Sequence, residues 1–187
     1  MKEEIQHTLF ARLLHWIWVV GMLIMILTGL YLHDKSWMPI FSNLGVVWPL
    51  HYITAIVLFV VVAVRIVYSA FPGTGDFKDL VMNPKNIKDA IPVIKYYTFL
   101  SQKEPKQGKY NYMQRMMYSS IWIPLLIIQL VTGVILYLSI GGVAVRVIHY
   151  LVTWVLIATI LLHLYLGTVH GWSLVKSMIT GKLDKAH

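Results

Sequence analysis

The chain has 187 residues, 58% of them hydrophobic and only 13% charged, with no cysteine and a formal net charge of +8. That apolar excess exceeds what a soluble domain carries and points to a membrane protein. The missing cysteine excludes disulfides, cysteine-ligated iron–sulfur clusters and thioether-linked haem, and no nucleic-acid signature accompanies the positive charge.

Crossing a hydrocarbon layer of about 30 Å takes roughly 20 apolar residues as helix. In chain order, residues 13–32 contain no ionisable residue except His15, residues 46–64 only His51, residues 116–140 none, and residues 147–169 only His149 and His163. In lipid the backbone must satisfy its own polar groups, and helix does so economically. The expected fold is therefore all-α and integral to the membrane. It is a four-transmembrane-helix bundle forming one domain over 1–187, with spans near 11–33, 46–70, 116–140 and 146–170, a loop at 71–115 and a tail at 171–187. The first span is not expected to be a cleaved signal: no small-residue cleavage site follows it, and "YLHDKSW" comes next.

Of the 16 Lys and Arg, only Lys35 and Arg146 fall in the short connections expected at 33–45 and 141–146. The rest cluster at the N-terminus, around 71–115 and in the tail. The positive-inside rule places both termini and the long loop in the cytoplasm.

The histidines then acquire depths. His149 and His163 are separated by fourteen residues, an angular offset of about 40° and a rise of about 21 Å, so both share one face of a helix at opposite levels. Helix one runs inside to outside, and helices two and four run back. His15 and His163 therefore lie at the inner level, His51 and His149 at the outer level. A b-type haem held between helices needs one imidazole on each side of its iron, and the two depth-matched pairs provide two such clamps. Histidines inside a membrane also serve as proton relays or hydrogen-bonded core residues.

The same fourteen-residue step leads from His15 to Gly29 and from His51 to Arg65. Gly29 is a candidate haem contact, since a missing side chain lets a porphyrin approach, or an ordinary packing residue. Arg65 and Arg12 are candidate partners of haem propionates; Arg65 could equally snorkel to headgroups. His33 and His170 share these helical faces but lie at the helix ends.

In the long loop, Asn83 and Pro84 form a helix-start signal. Ile87, Ile91 and Ile94 follow at helical spacing. An amphipathic helix on the inner surface, bent at Pro92, is expected. "KQGKYNYMQRMMY" then leads into helix three. Its Tyr110, Asn111, Tyr112 and Gln114 bring hydrogen-bonding and aromatic groups to the inner boundary. They suit a quinone carbonyl and ring, or the anchoring of a helix end.

"RLLHW" (12–16), "GKYNYMQRMMY" (108–118), the Thr132–Gly133 pair, His149, His163 and the tail "SLVKSMITGK" (173–182) resemble one family over nearly the whole chain. It is the membrane-embedded two-haem cytochrome b subunit of respiratory formate dehydrogenases and nickel–iron hydrogenases. The resemblance implies two haem b and a place in a bacterial or archaeal cytoplasmic membrane. It implies electrons arriving from an extracytoplasmic iron–sulfur subunit of a catalytic dehydrogenase or hydrogenase. It also implies reduction of menaquinone or ubiquinone on the cytoplasmic side, with Asn111 and His163 beside the quinone. Two other readings remain: a stand-alone two-haem cytochrome b exchanging electrons between quinone and superoxide, and a cofactor-free anchor or small transporter. The absence of acidic residues from the spans weakens the last.

Overall fold

The computed structural model describes residues 7–41, 43–71, 88–103, 112–168 and 172–182. Its elements are helices: α1 Leu9–His33, α2 Leu44–Ala70, α3 Ala90–Tyr97, α4 Tyr112–Met116, α5 Ile123–Tyr137, α6 Gly142–Thr168 and α7 Ser173–Thr180. A 3-10 turn at Lys35–Trp37 follows α1, and a π-helical stretch at Met117–Trp122 joins α4 to α5. Four helical runs are long and apolar enough to cross a membrane: Leu9–His33, Leu44–Ala70, Ser119–Tyr137 and Gly142–Thr168. The protein is an all-α, multi-pass membrane protein, as its apolar runs predict.

The burial pattern is that of a protein solvated by lipid. Ile56, Phe59 and Val60 of α2 are 64%, 54% and 51% exposed, whereas Thr28, Ser69, Thr132 and Ser177 are buried. Apolar surface of this extent is a liability in water. In a membrane it faces hydrocarbon, and small polar residues collect between helices instead.

The chain divides into two compact units, Met1–Tyr68 with Val175–His187, and Ser69–Leu174. In the first unit α1 and α2 form an antiparallel hairpin. Thr8 Oγ1 lies 2.9 Å from Tyr68 Oη, and the Phe10 and Tyr68 rings are 4.9 Å apart. Further along, a Cβ added to Gly21 would stand 2.5 Å from Leu58 Cδ2, so glycine is what lets the backbones approach there. Both helices start on side-chain caps: Thr8 Oγ1 accepts from Ala11 N at 3.3 Å, and Asn43 Oδ1 from Gly45 N at 2.7 Å. In the connection, Asp34 Oδ1 accepts from the backbone N–H and the hydroxyl of Ser36 at 2.9 and 2.8 Å. These bonds hold the exposed Asp34 carboxyl below the usual carboxylate range, with the backbone donor the larger cause.

The tail is tied to α1. Trp16 Nε1–H donates to Met178 O at 3.1 Å. Gly181, at φ +84°, lies against the Arg12 guanidinium and carries its N–H to Ser177 O at 2.8 Å. That is a left-handed helix end of the kind only glycine adopts without strain.

In the second unit α5 and α6 form another antiparallel hairpin. Its turn is tighter than the sequence suggests. Helix three ends at Tyr137 rather than 140, and helix four starts at Gly142 rather than 146. Arg146 therefore lies inside α6, not in a connection. Ser139 (φ +59°) and Gly142 (φ +55°) make the reversal, and a Cβ on Gly141 would stand 2.7 Å from Ile135 Cγ2. Few residues are needed when backbone conformation supplies the turn.

Within the described residues Pro92 does not interrupt a helix. Pro92 is the third residue of α3, in the first turn, where no intrahelical donor is required. Tyr165 Oη–H donates to Tyr97 O at 3.2 Å, tying α3 to α6. The expected helix start at Asn83, Pro84 and Ile87 lies outside the described residues.

Candidate functional site

One small arrangement occurs twice, once in each hairpin. In the first, Thr28 Oγ1 is 2.6 Å from Ile24 O and 2.8 Å from His51 Nδ1. A threonine hydroxyl has a single proton, and the carbonyl can only accept, so that proton points to Ile24 O. His51 Nδ1 must then carry its own proton and donate it to Thr28 Oγ1. The His51 Nε2 position is left as the lone-pair nitrogen. A Cβ on the neighbouring Gly29 would stand 3.4 Å from His51 Cε1, so the glycine gives the imidazole its room.

In the second hairpin Thr132 Oγ1 is 2.7 Å from Ile128 O and 2.8 Å from His149 Nδ1. A Cβ on Gly133 would stand 3.3 Å from His149 Cε1. The same reasoning makes His149 an Nδ1–H tautomer. With that tautomer, Gln129 Nε2 donates to His149 Nε2 at 3.1 Å and to Thr153 Oγ1 at 2.9 Å. Each arrangement is a Thr–Gly pair on the first helix facing a His–Tyr pair on the second: 28–29 with 51–52, and 132–133 with 149–150.

An imidazole with its Nδ1–H held by an oxygen and its Nε2 lone pair presented is the form that binds metals. Among the described residues no three His, Cys, Asp or Glu side chains gather into a metal-holding group. Single imidazoles suit a metal whose other donors come from a macrocycle.

The remaining candidates sit as follows. His15 and Arg12 are half-buried on α1, and the His15 ring meets Trp16 edge-on at 5.5 Å. Arg12 Nε is buried with no hydrogen-bond partner among the described residues. His163, half-buried on α6, has its ring 5.8 Å from that of Trp122, the last residue of the π-helical stretch. The Arg65 guanidinium stands over the Tyr68 ring at 5.9 Å. His33 is exposed beside Trp37. His170, Tyr110 and Asn111 lie outside the described residues, and Gln114 falls in α4 with its side chain outside them too.

Sequence reasoning singled out Gly29 but missed Thr28, Thr132 as a hydrogen-bonding residue, and Gln129. The signal that would have found the threonines is the repetition itself, Thr–Gly before His–Tyr in both halves.

No curated protein matches the chain. Residues 6–181 match the family described as prokaryotic cytochrome b561. Such a match spans nearly all of the chain, and the Nδ1–H imidazoles held in each hairpin are of a kind that suits the b-type haem that the family binds. The chain belongs to the prokaryotic cytochrome b561 family, as a membrane b-type cytochrome of electron transfer.

Proposed function

We propose that this protein is a di-haem b subunit that moves electrons across the membrane between an extracytoplasmic iron–sulfur partner and the quinone pool. On this reading His51 and His149 would hold the outer haem, and His15 and His163 the inner one. The observation that carries this reading is the repeated Thr–Gly support, which sets His51 and His149 in the same Nδ1–H tautomer, so that in both the lone pair is on Nε2. Bound there, each haem supplies a one-electron ferric/ferrous couple.

The chain's own contribution is to hold and orient. Thr28 and Thr132 aim the outer imidazoles and prevent their rotation. Gly29 and Gly133 keep side chains away from the imidazole edge. Arg12, one turn from His15, would neutralise a carboxylate of the inner haem. The inner level is where quinone is reduced, with Asn111, Tyr110 and Gln114 giving hydrogen bonds to its carbonyls and His163 adjacent. This part of the reading rests on the likeness to the dehydrogenase and hydrogenase subunits, as do the iron–sulfur partner, the catalytic subunit beyond it and the cytoplasmic placement of both termini.

The test is a dithionite-reduced minus oxidised spectrum with haem quantified per chain, followed by affinity purification from membranes. Two b haems and a copurifying iron–sulfur protein are expected. Two haems with no such partner would favour the stand-alone quinone oxidoreductase. No haem in a folded, haem-replete preparation would overturn the assignment of ligands.

A further inference from the structure

Gln129 is the polar interruption of the third apolar run, and both protons of its amide are engaged. Thr153 gives its own hydroxyl proton to His149 O at 2.9 Å, so it can only accept from Gln129 Nε2. His149 Nδ1 donates to Thr132 Oγ1, so His149 Nε2 can only accept as well. Turning the amide over would set its oxygen against two acceptors, so the network admits one orientation.

An imidazole nitrogen of this kind has one lone pair, lying in the ring plane. It accepts the Gln129 N–H or it coordinates a metal, and the two are mutually exclusive. We infer that the Gln129 amide is a displaceable latch on His149 Nε2, competing with haem iron for that lone pair and swinging off it when haem loads. The inference rests on reading His149 as an axial ligand. Thr153 keeps its hold on the second amide proton, so opening the latch breaks one hydrogen bond rather than two. Among the described residues Gln129 Oε1 is buried with no hydrogen-bond partner. Its cost weighs against the closed arrangement and keeps the latch weak enough to yield.

A latch and a mere structural brace predict opposite signs. Removing a brace weakens haem binding, whereas removing a competitor strengthens it. The test uses the haem-depleted full chain in detergent micelles with His163→Ala, so that the outer site alone is loaded, titrated with haemin and read at the Soret band. Gln129→Met preserves volume and removes the amide; Gln129→Leu is the second variant should the first fail to fold. The affinity is expected to rise about fivefold, which corresponds to about 1 kcal/mol, the net worth of one hydrogen bond. A folded variant with equal or weaker affinity overturns the latch.

Nitrogen NMR of histidine-labelled, haem-depleted chain reads the same claim without any substitution at Gln129. His149 Nε2 is expected as an unprotonated acceptor. A proton on Nε2 overturns the latch. His149→Ala in the same background separates the two layers: unchanged outer-haem binding there sinks the ligand assignment itself, while loss of binding leaves only the latch at stake.

Discussion

Thr28 Oγ1 and His51 Nδ1 stand 2.8 Å apart across the α1–α2 hairpin, and Thr132 Oγ1 and His149 Nδ1 stand 2.8 Å apart across α5–α6. In both, the hydroxyl proton belongs to a carbonyl one turn back, so the imidazole is the donor. The equality is a consequence of helix geometry. A threonine back-bonded to its own helix presents a lone pair outward at a fixed height, and a histidine on the neighbouring helix reads it.

Thr28→Val and Thr132→Val should each take the acceptor from a part-buried imidazole N–H, at a cost of about 1 kcal/mol. Outer-haem occupancy should fall and its low-spin electron paramagnetic resonance signal should broaden as the ring gains freedom. The inner haem should be spared. Thr28→Ser and Thr132→Ser should restore both features.

Gly133→Ala and Gly29→Ala should both have mild effects. The added methyl would meet His149 Cε1 at 3.3 Å in one case and His51 Cε1 at 3.4 Å in the other, so each ring need give by a few tenths of an ångström at most. Leucine at either position should abolish the outer haem outright, as pyridine haemochrome quantitation per chain would show. Gly21→Ala, which meets Leu58 rather than an imidazole, should lower thermal stability by about 1–3 kcal/mol with the haem count intact.

The four single alanine variants of the histidines should fall into two spectral classes. His51→Ala and His149→Ala should lose the same haem. His15→Ala and His163→Ala should lose the other, and quinone reduction with it. Loss patterns grouped in any other way would refute the pairing by depth.

Gly181→Ala should act at a distance in sequence from everything it changes. A left-handed backbone costs a residue with a Cβ about 1–2 kcal/mol, and the new methyl would collide with the Arg12 guanidinium. Displacing Arg12 should shift the midpoint potential of the inner haem in a redox titration and leave the outer one where it was.

Asn111→Ala should keep both haems and slow quinone turnover. Turnover equal to that of the unaltered chain would remove Asn111 from the quinone site.

Much of the fold was legible because lipid imposes a single rule, that long runs without charge become helices. His15, His51, His149 and His163 stood out as candidates for a related reason: an imidazole is conspicuous among leucines and valines. The supports were not. Threonine in an apolar helix usually satisfies itself on the carbonyl four residues back, so Thr28 and Thr132 carry no outward sign that the other lone pair is in use. Gln129 has no charge and so escaped a reading based on ionisable groups. The turn at 138–141 was read too long because its compactness comes from backbone angles at Ser139 and Gly142 rather than from composition. The docking of the tail depends on the conformation of Gly181, which a stretch with only local polar pattern does not announce.

The π-helical stretch at Met117–Trp122 has a meaning in the history of the gene. A π turn is one residue inserted into an α-helix and tolerated rather than removed. Deleting any one residue of that stretch would return the helix to regular winding. The described helix before it, Tyr112–Met116, would turn by about 100° and slide by about 1.5 Å relative to Ile123–Tyr137. Substitutions in this region are gradual changes, but length is all-or-none. Insertions and deletions between 112 and 122 should therefore be far rarer among descendants of this sequence than replacements at the same positions.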